Sequence, residues 1–333
     1  MRIQSSSTTS SQGAGLRIGC DVPGNRPTVT IVTPSLNQGG YLRECIESVL
    51  GQDYPHLEYI IMDGGSTDES VRIIRSYAER IAHWESHPDG GQSDAINGGW
   101  WRGAGDIVAW MNADDSYLPG AVTAAVQYLA EHPDVDIVYG DYNAVDENGS
   151  PSAGCVPARP FDEEALMRTN FIPSGSTFIR ADVVRRVGFL DSDLKFVMDW
   201  DYWLRASTCC TFAFLARPLS NFRIHPAGRT WSDDGAKAKE IAYLASTLGA
   251  RLHWRRSARL HSSLGAAGLY LVAASYSLTG GERRRALAYV LKSFANAPCR
   301  LGWTRLRVLA HVFGVRRNSR SQAASTTIGS PPL

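Results

Sequence analysis

Two periodicities alternate along the first half of the chain. Compact apolar or β-branched runs occur at 28–33, 57–62, 107–111 and 136–139, with a weaker one at 81–85. Between them the apolar positions space out to the helical period: Leu42, Ile46 and Val49 within 41–50, then Val71, Ile74 and Ala78 around 68–76. Segments 93–102 and 119–131 read the same way. The runs are too short and too apolar for surface helices and match buried strands. Asp68 and Ser93 stand where helix N-caps are expected, and Pro119 suits a first helical turn. Repeated strand–helix units predict an α/β fold with a Rossmann-like, mostly parallel sheet and helices on both faces. Asp146-Glu147-Asn148-Gly149 has the composition of a hairpin turn.

Beyond Gly149 the pattern loosens. Segments 176–179, 211–215 and 219–224 read as strands and 199–206 as a helix. From Ala236 the signal is helical, at 241–260, 263–278, 282–295 and 303–312. The expected organisation is a disordered leader at 1–26, an α/β domain at 27–230 and a helical extension at 236–320. A disordered tail follows at 321–333. The leader is rich in Ser, Thr, Gly and Gln and lacks the apolar core of a signal peptide. No stretch reaches 18 apolar residues; 264–278 comes nearest and is broken by Ser and Gly. The six cysteines are scattered with no C-x-x-C pair, which fits reduced thiols in a cytoplasmic protein.

Charge changes this picture at one place. The net charge is +1, yet residues 251–320 hold 14 Arg and Lys against one acid, Glu282. A block of that sign needs an acidic partner. The expected partner is an anionic membrane surface, placing the protein peripherally on the inner face of the cell membrane. Nucleic acid is disfavoured, because the α/β part already has a ligand of its own.

That ligand is indicated where strands end. The run 107–111 leads directly into Asn112-Ala113-Asp114-Asp115, and the run 57–62 into Asp63-Gly64-Gly65-Ser66-Thr67-Asp68. Open α/β sheets bind ligands at the carboxyl edge of their strands. Adjacent carboxylates there repel each other unless a cation or donors meet them, and a hard divalent ion carrying phosphates would do so. The pair is expected to lie outside the core. Neither G-x-G-x-x-G nor a P-loop is present. The first strand ends instead in Thr33-Pro34-Ser35-Leu36-Asn37-Gln38-Gly39-Gly40, a polar loop able to wrap a base but without a phosphate cradle.

Taken in order, Thr33 to Asn37, Asp63 to Asp68, Asp89 to Asn97, Asn112 to Asp115 and Met198 to Arg205 resemble the motifs of the family 2 inverting glycosyltransferases, of the bacterial cell-surface polysaccharide type. The resemblance covers 27–226 and implies the GT-A fold. Residues 27–140 would form the nucleotide-sugar half and 141–230 the acceptor half. It implies a nucleotide-diphosphate sugar donor, a UDP-sugar foremost, and a glycan or lipid-linked acceptor. Asp63 would hydrogen-bond the nucleobase, with Thr33, Pro34 and Asn37 beside it. Asp94 would approach the donor. Asn112, Asp114 and Asp115 would stand for the family's Asp-x-Asp element, with Mg²⁺ or Mn²⁺ held by Asp114, Asp115 and His225. Asn112 departs from the usual acid and brings no charge. The family's Glu-Asp pair reads Met198-Asp199 here, which leaves Asp199 as the general base and Asp201 as the alternative. A sugar nucleotidyltransferase would carry a cation in the loop after the first strand, and 37–40 has none. A non-catalytic sugar-nucleotide scaffold would not need Asp63, Asp115 and Asp199 intact.

Overall fold

The computed structural model of the chain describes residues 26–153, 156–228, 233–251, 258–298 and 303–313. The leader up to 25, the tail, Cys20, Cys155, Cys299 and the Arg255-Arg256 and Arg316-Arg317 pairs lie outside the described residues. In chain order the elements are β1 (Val29–Ser35), α1 (Leu42–Leu50), β2 (Leu57–Asp63), α2 (Ser70–Ser76), β3 (His83–Ser86), α3 (Gln92–Arg102), β4 (Ile107–Trp110), β5 (Ser116–Tyr117) and α4 (Ala121–Glu131). There follow β6 (Ile137–Val145), α5 (Glu163–Leu166), β7 (Thr177–Arg180), α6 (Ala181–Val187), α7 (Met198–Ala206) and β8 (Phe212–Arg223). Four helices close the described chain: α8 (Asp234–Arg251), α9 (Ala258–Thr279), α10 (Arg283–Asn296) and α11 (Trp303–Val312).

The strands form one sheet in the order β3-β2-β1-β4-β7-β6-β8-β5. The first four are parallel, with Ser35 level with Asp63 and Val32 level with Trp110. β7 enters antiparallel between β4 and β6, and β5 pairs antiparallel with β8, so the sheet is mixed in its second half. The winding goes from β1 outward through β2 and β3, then returns to place β4 on the other side of β1. A topological switch point therefore lies between β1 and β4, opening a crevice at their carboxyl ends.

Apolar side chains alternate between the two faces of β4. Val108 and Trp110 join the cluster under α3, α7 and the C-terminal helices, while Ala109 and Met111 join the one under α1, α2 and α4. Trp110 stacks on Trp203 of α7 with ring centroids 5.7 Å apart and 13° between planes. Ile241 of α8, Leu269 of α9, Val290 of α10 and Val308 of α11 belong to that same cluster. The helical extension thus shares a core with the sheet.

Two expectations change in detail. Segments 211–215 and 219–224 are one strand, β8, whose register against β6 shifts around Asp141. Arg217-Pro218 reads as a break in sequence because Pro donates no ladder hydrogen bond, but a bulge accommodates it. Ser93 does not cap α3: its hydroxyl donates to Leu194 O at 3.2 Å and lies 2.8 Å from Met198 Sδ. The short β5, α5 and α6 carry too little periodic signal to be read in advance.

Candidate active site

A cavity of about 770 Å³ opens at the switch point. Pro34 and Ser35 at the end of β1 line it together with Gln38 beyond, and with Asn112, Asp114 and Asp115 after β4. Asp199 lines it too, and residues of α8 and α9 complete the wall.

The acid edge is built between β4 and β8. A tight turn, closed by Asp115 N–H donating to Asn112 O at 3.1 Å, folds the two acids apart. Asp115 turns inward, accepting from Arg223 N–H at 2.8 Å and from Asn112 Nδ2 at 3.1 Å. Its carboxyl is held well above the usual carboxylate range, first by burial and then by the Asp114 charge. The expectation that both acids lie outside the core therefore fails for Asp115, which is 5% exposed. Asp114 remains open to the cavity, with Oδ2 3.0 Å from Nε2 of the buried His225. Arg223 locks this edge. Its Nε donates to Asp114 O at 2.9 Å, one terminal nitrogen pairs with Glu44 at 2.6 Å, and the guanidinium lies over the Tyr41 ring. Sequence reading passed over Arg223, although a cation two residues before His225 was the available signal.

Two donors bound at right angles to Mg²⁺, each ~2.0–2.1 Å away, lie about 3 Å apart. Asp114 Oδ2 and His225 Nε2 meet that separation. Among the described residues no set of three or more His, Cys, Asp or Glu side chains could hold a metal ion by itself. A cation here would complete its shell with diphosphate oxygens and water, as Mg²⁺ commonly does.

Asp199 sits in the first turn of α7. Oδ2 accepts from Asn170 Nδ2 at 2.9 Å and Oδ1 from Trp200 N–H at 2.7 Å. Burial outweighs these bonds and pushes its carboxyl up to about 6. Asp201, two residues on, is fully buried and faces away from the cavity. It pairs with Arg205 Nε at 2.8 Å, and Arg205 also donates to Val187 O and Phe189 O.

The segment leading into α7 is gripped from both sides. From α3, Asn97 makes a two-way amide clamp with Leu190, at 2.9 and 3.0 Å, and Asp94 accepts from Ser192 Oγ. From α8, Glu240 accepts the backbone N–H groups of Lys195, Phe196 and Val197 at 2.9, 2.8 and 3.2 Å. Asp94 thus faces the segment leading into α7 and a smaller cavity of about 230 Å³, not the large one. Asp63 borders that smaller cavity. It is 2% exposed and accepts from Ser66 N–H at 2.8 Å and Ser86 Oγ at 2.7 Å. The Thr33 side chain does not reach the large cavity; it is buried on the α1 side, 2.9 Å from Tyr59 OH. Asn37, at φ 53°, ties the loop after β1 to the next one by accepting from Thr67 N–H at 2.9 Å. Of the expected residues, Pro34, Asn112, Asp114, Asp115 and Asp199 line the large cavity together.

A mixed α/β sheet with a carboxylate edge at its switch point is an arrangement of the GT-A kind. Residues 30–188 match the family described as Glycosyl transferase family 2. An uncharacterized glycosyltransferase of Rickettsia prowazekii is 30% identical over 212 residues, covering 61% of this chain and 66% of that protein. A PGL/p-HBAD biosynthesis glycosyltransferase of Mycobacterium bovis is 29% identical over 185 residues, covering 54% of this chain and 69% of the relative. Among solved structures, S. aureus TarS 1-349 in complex with UDP-GlcNAc superposes with a TM-score of 0.59 at 13% identity, covering 86% of this chain and 92% of the other. The mannosyltransferase PcManGT from Pyrobaculum calidifontis, in complex with GDP-Man and Mn2+, gives 0.52 at 20% identity and covers 87% of each chain. These two likenesses concern the fold. Over residues 30–188 the chain carries a domain similar to glycosyltransferase family 2, a family of sugar-transferring enzymes. Its aligned part spans just under two thirds of the Rickettsia prowazekii protein's length.

Proposed function

We propose that this protein moves a sugar from a nucleotide-diphosphate donor, a UDP-sugar foremost, to a hydroxyl group with inversion at the transferred carbon. The acceptor is a glycan or a lipid-linked hydroxyl compound. The observation that carries the reading is Asp199, a buried acid whose carboxyl is pushed up to about 6 on the wall of the same cavity that Asp114 lines. A general base works best with a pKa near the operating pH. Asp199 takes the proton of the acceptor hydroxyl as that oxygen bonds to the sugar carbon. The bond from carbon to diphosphate oxygen breaks on the opposite face. Asn170 orients the carboxylate, and Glu240 with Asn97 fixes the segment that carries it. Asp114 and His225 would hold Mg²⁺ or Mn²⁺, with Asp115 behind them; the cation would neutralise charge on the leaving nucleoside diphosphate. The TarS complex with UDP-GlcNAc and the PcManGT complex with GDP-Man and Mn2+ support this donor and cofactor class. Residues 27–230 would form the catalytic domain and 236–320 the basic extension. Isothermal titration with a panel of nucleotide sugars, with and without Mn²⁺, tests the reading. Saturable, Mn²⁺-dependent binding of at least one is expected, and no binding by any would overturn it.

The extension would seat the enzyme on the cytoplasmic face of the membrane. None of the described helices is long and apolar enough to cross one. Arg284, Leu291 and Lys292 share an exposed face of α10, and Leu306 and Arg307 are exposed on α11, with Phe313 just beyond it. Each Lys or Arg near an anionic surface contributes about 1 kcal/mol. Full-length protein is expected to sediment with phosphatidylserine-containing vesicles at low salt and to release at high salt. Charge reversal at Arg284, Lys292 and Arg307 should weaken sedimentation several-fold; unchanged sedimentation would remove this face from the contact.

A further inference from the structure

One wall of the cavity is built by two helix faces. Asp234, Lys237 and Ile241 follow one another on α8, and Val272, Tyr276 and Thr279 on α9, each at helical spacing. The helices run antiparallel: Gly280, just past α9, lies against Gly235 at the start of α8, while Gly265 of α9 lies against Leu248 near the end of α8. The slot between them is therefore graded. Asp234, Lys237 and Thr279 mark its polar end, where Lys237 Nζ stands 3.1 Å from Asp234 and 5.6 Å from the Tyr276 ring centroid. Ile241 and Val272 mark its apolar depth. Phe171 and Phe196 line the same cavity, and so does Asp199.

We infer that the slot between α8 and α9 is the acceptor site, and that it takes a hydroxyl compound carrying an apolar body of alkyl or aryl type. This rests on the donor and base assignment above. With the acid edge after β4 assigned to the donor, the α8–α9 wall of the same cavity is left for the acceptor. A purely hydrophilic sugar there would lie against Ile241, Val272 and Phe196, which offer its hydroxyls no hydrogen-bond partners. A compound with an apolar body covers those side chains and leaves its polar head beside Asp199. Glu240 lies on the same helix as Lys237 and Ile241, so the wall that receives the acceptor also holds the base segment.

The test uses full-length protein saturated with UDP and Mn²⁺. Octyl β-glucoside, below its micellar concentration, is titrated beside methyl β-glucoside. The octyl compound is expected to bind at least tenfold more tightly. Val272→Phe, which fills the slot, should remove most of that advantage and leave UDP affinity within twofold. Equal affinity of the two glucosides in the unsubstituted protein would overturn the inference, whatever the variant's stability. So would an octyl advantage that a folded Val272→Phe protein retains in full. Absence of UDP binding would instead sink the donor assignment, and this inference with it.

Discussion

Replacing Asp199 with Asn is expected to lower kcat about 10³-fold, within the range that removal of a general base produces. Donor affinity should stay within about twofold, because a base acts in the transition state and touches the acceptor hydroxyl, not the nucleotide. The reaction's pH dependence follows from the same carboxyl. Only the deprotonated form accepts a proton, and burial holds the carboxyl at about 6. The kcat of the unsubstituted enzyme should therefore rise with pH and level off above an inflection near that value. The residual activity of the Asp199→Asn variant should lack this inflection. Asp201→Asn is the control. It breaks the pair with Arg205, so it should lower Tm while keeping the inflection. An Asp199→Asn enzyme that retains both kcat and the inflection would move the base elsewhere.

The second large effect separates two neighbouring acids. Asp114→Ala should weaken Mn²⁺-dependent donor binding by about 10²-fold or more and change Tm little, because the side chain opens to the cavity. Removing an outer partner of a metal site already costs roughly 10–100-fold, and a direct ligand costs no less. Asp115→Ala should behave differently. It leaves the buried Arg223 N–H and the Asn112 amide without their acceptor. A loss on the order of 2–4 kcal/mol in stability is expected, measured by denaturant unfolding. Equal Tm for the two variants would contradict this division of labour. Chelation by EDTA should reproduce the Asp114→Ala binding defect without any stability change.

Much of the fold was legible because the βα repeat writes itself in periodicity. The runs ending at Asp63 and Asn112 are buried on both faces, so almost every position is apolar. Their sequence partners at the carboxyl edge then follow from topology. Legibility failed where long-range packing decides. Thr33 and Asn37 lie in the loop motif, yet one faces the core and the other staples two loops together, a difference set by which side of the sheet each residue faces. The family resemblance puts Asp94 near the donor, and the structure shows it gripping the segment ahead of α7. Its partner, Ser192, lies 98 residues away and could not be foreseen. Arg223 and Glu240 were missed for the same reason. Each makes several bonds to backbone groups, which carry no sequence signature.

The grip of Glu240 on residues 195–197 bears on how such proteins can be recombined. A chimera that joins this chain's α/β part to the C-terminal helices of a relative would look conservative, since the exchange falls after β8. It would nonetheless cut three hydrogen bonds to the segment ahead of Asp199 unless the graft also supplied a carboxylate at the same helical position. The helices are thus inherited with Asp199 rather than beside it, and a crossover that respects this would fall ahead of the segment held by α3, not at the apparent domain seam.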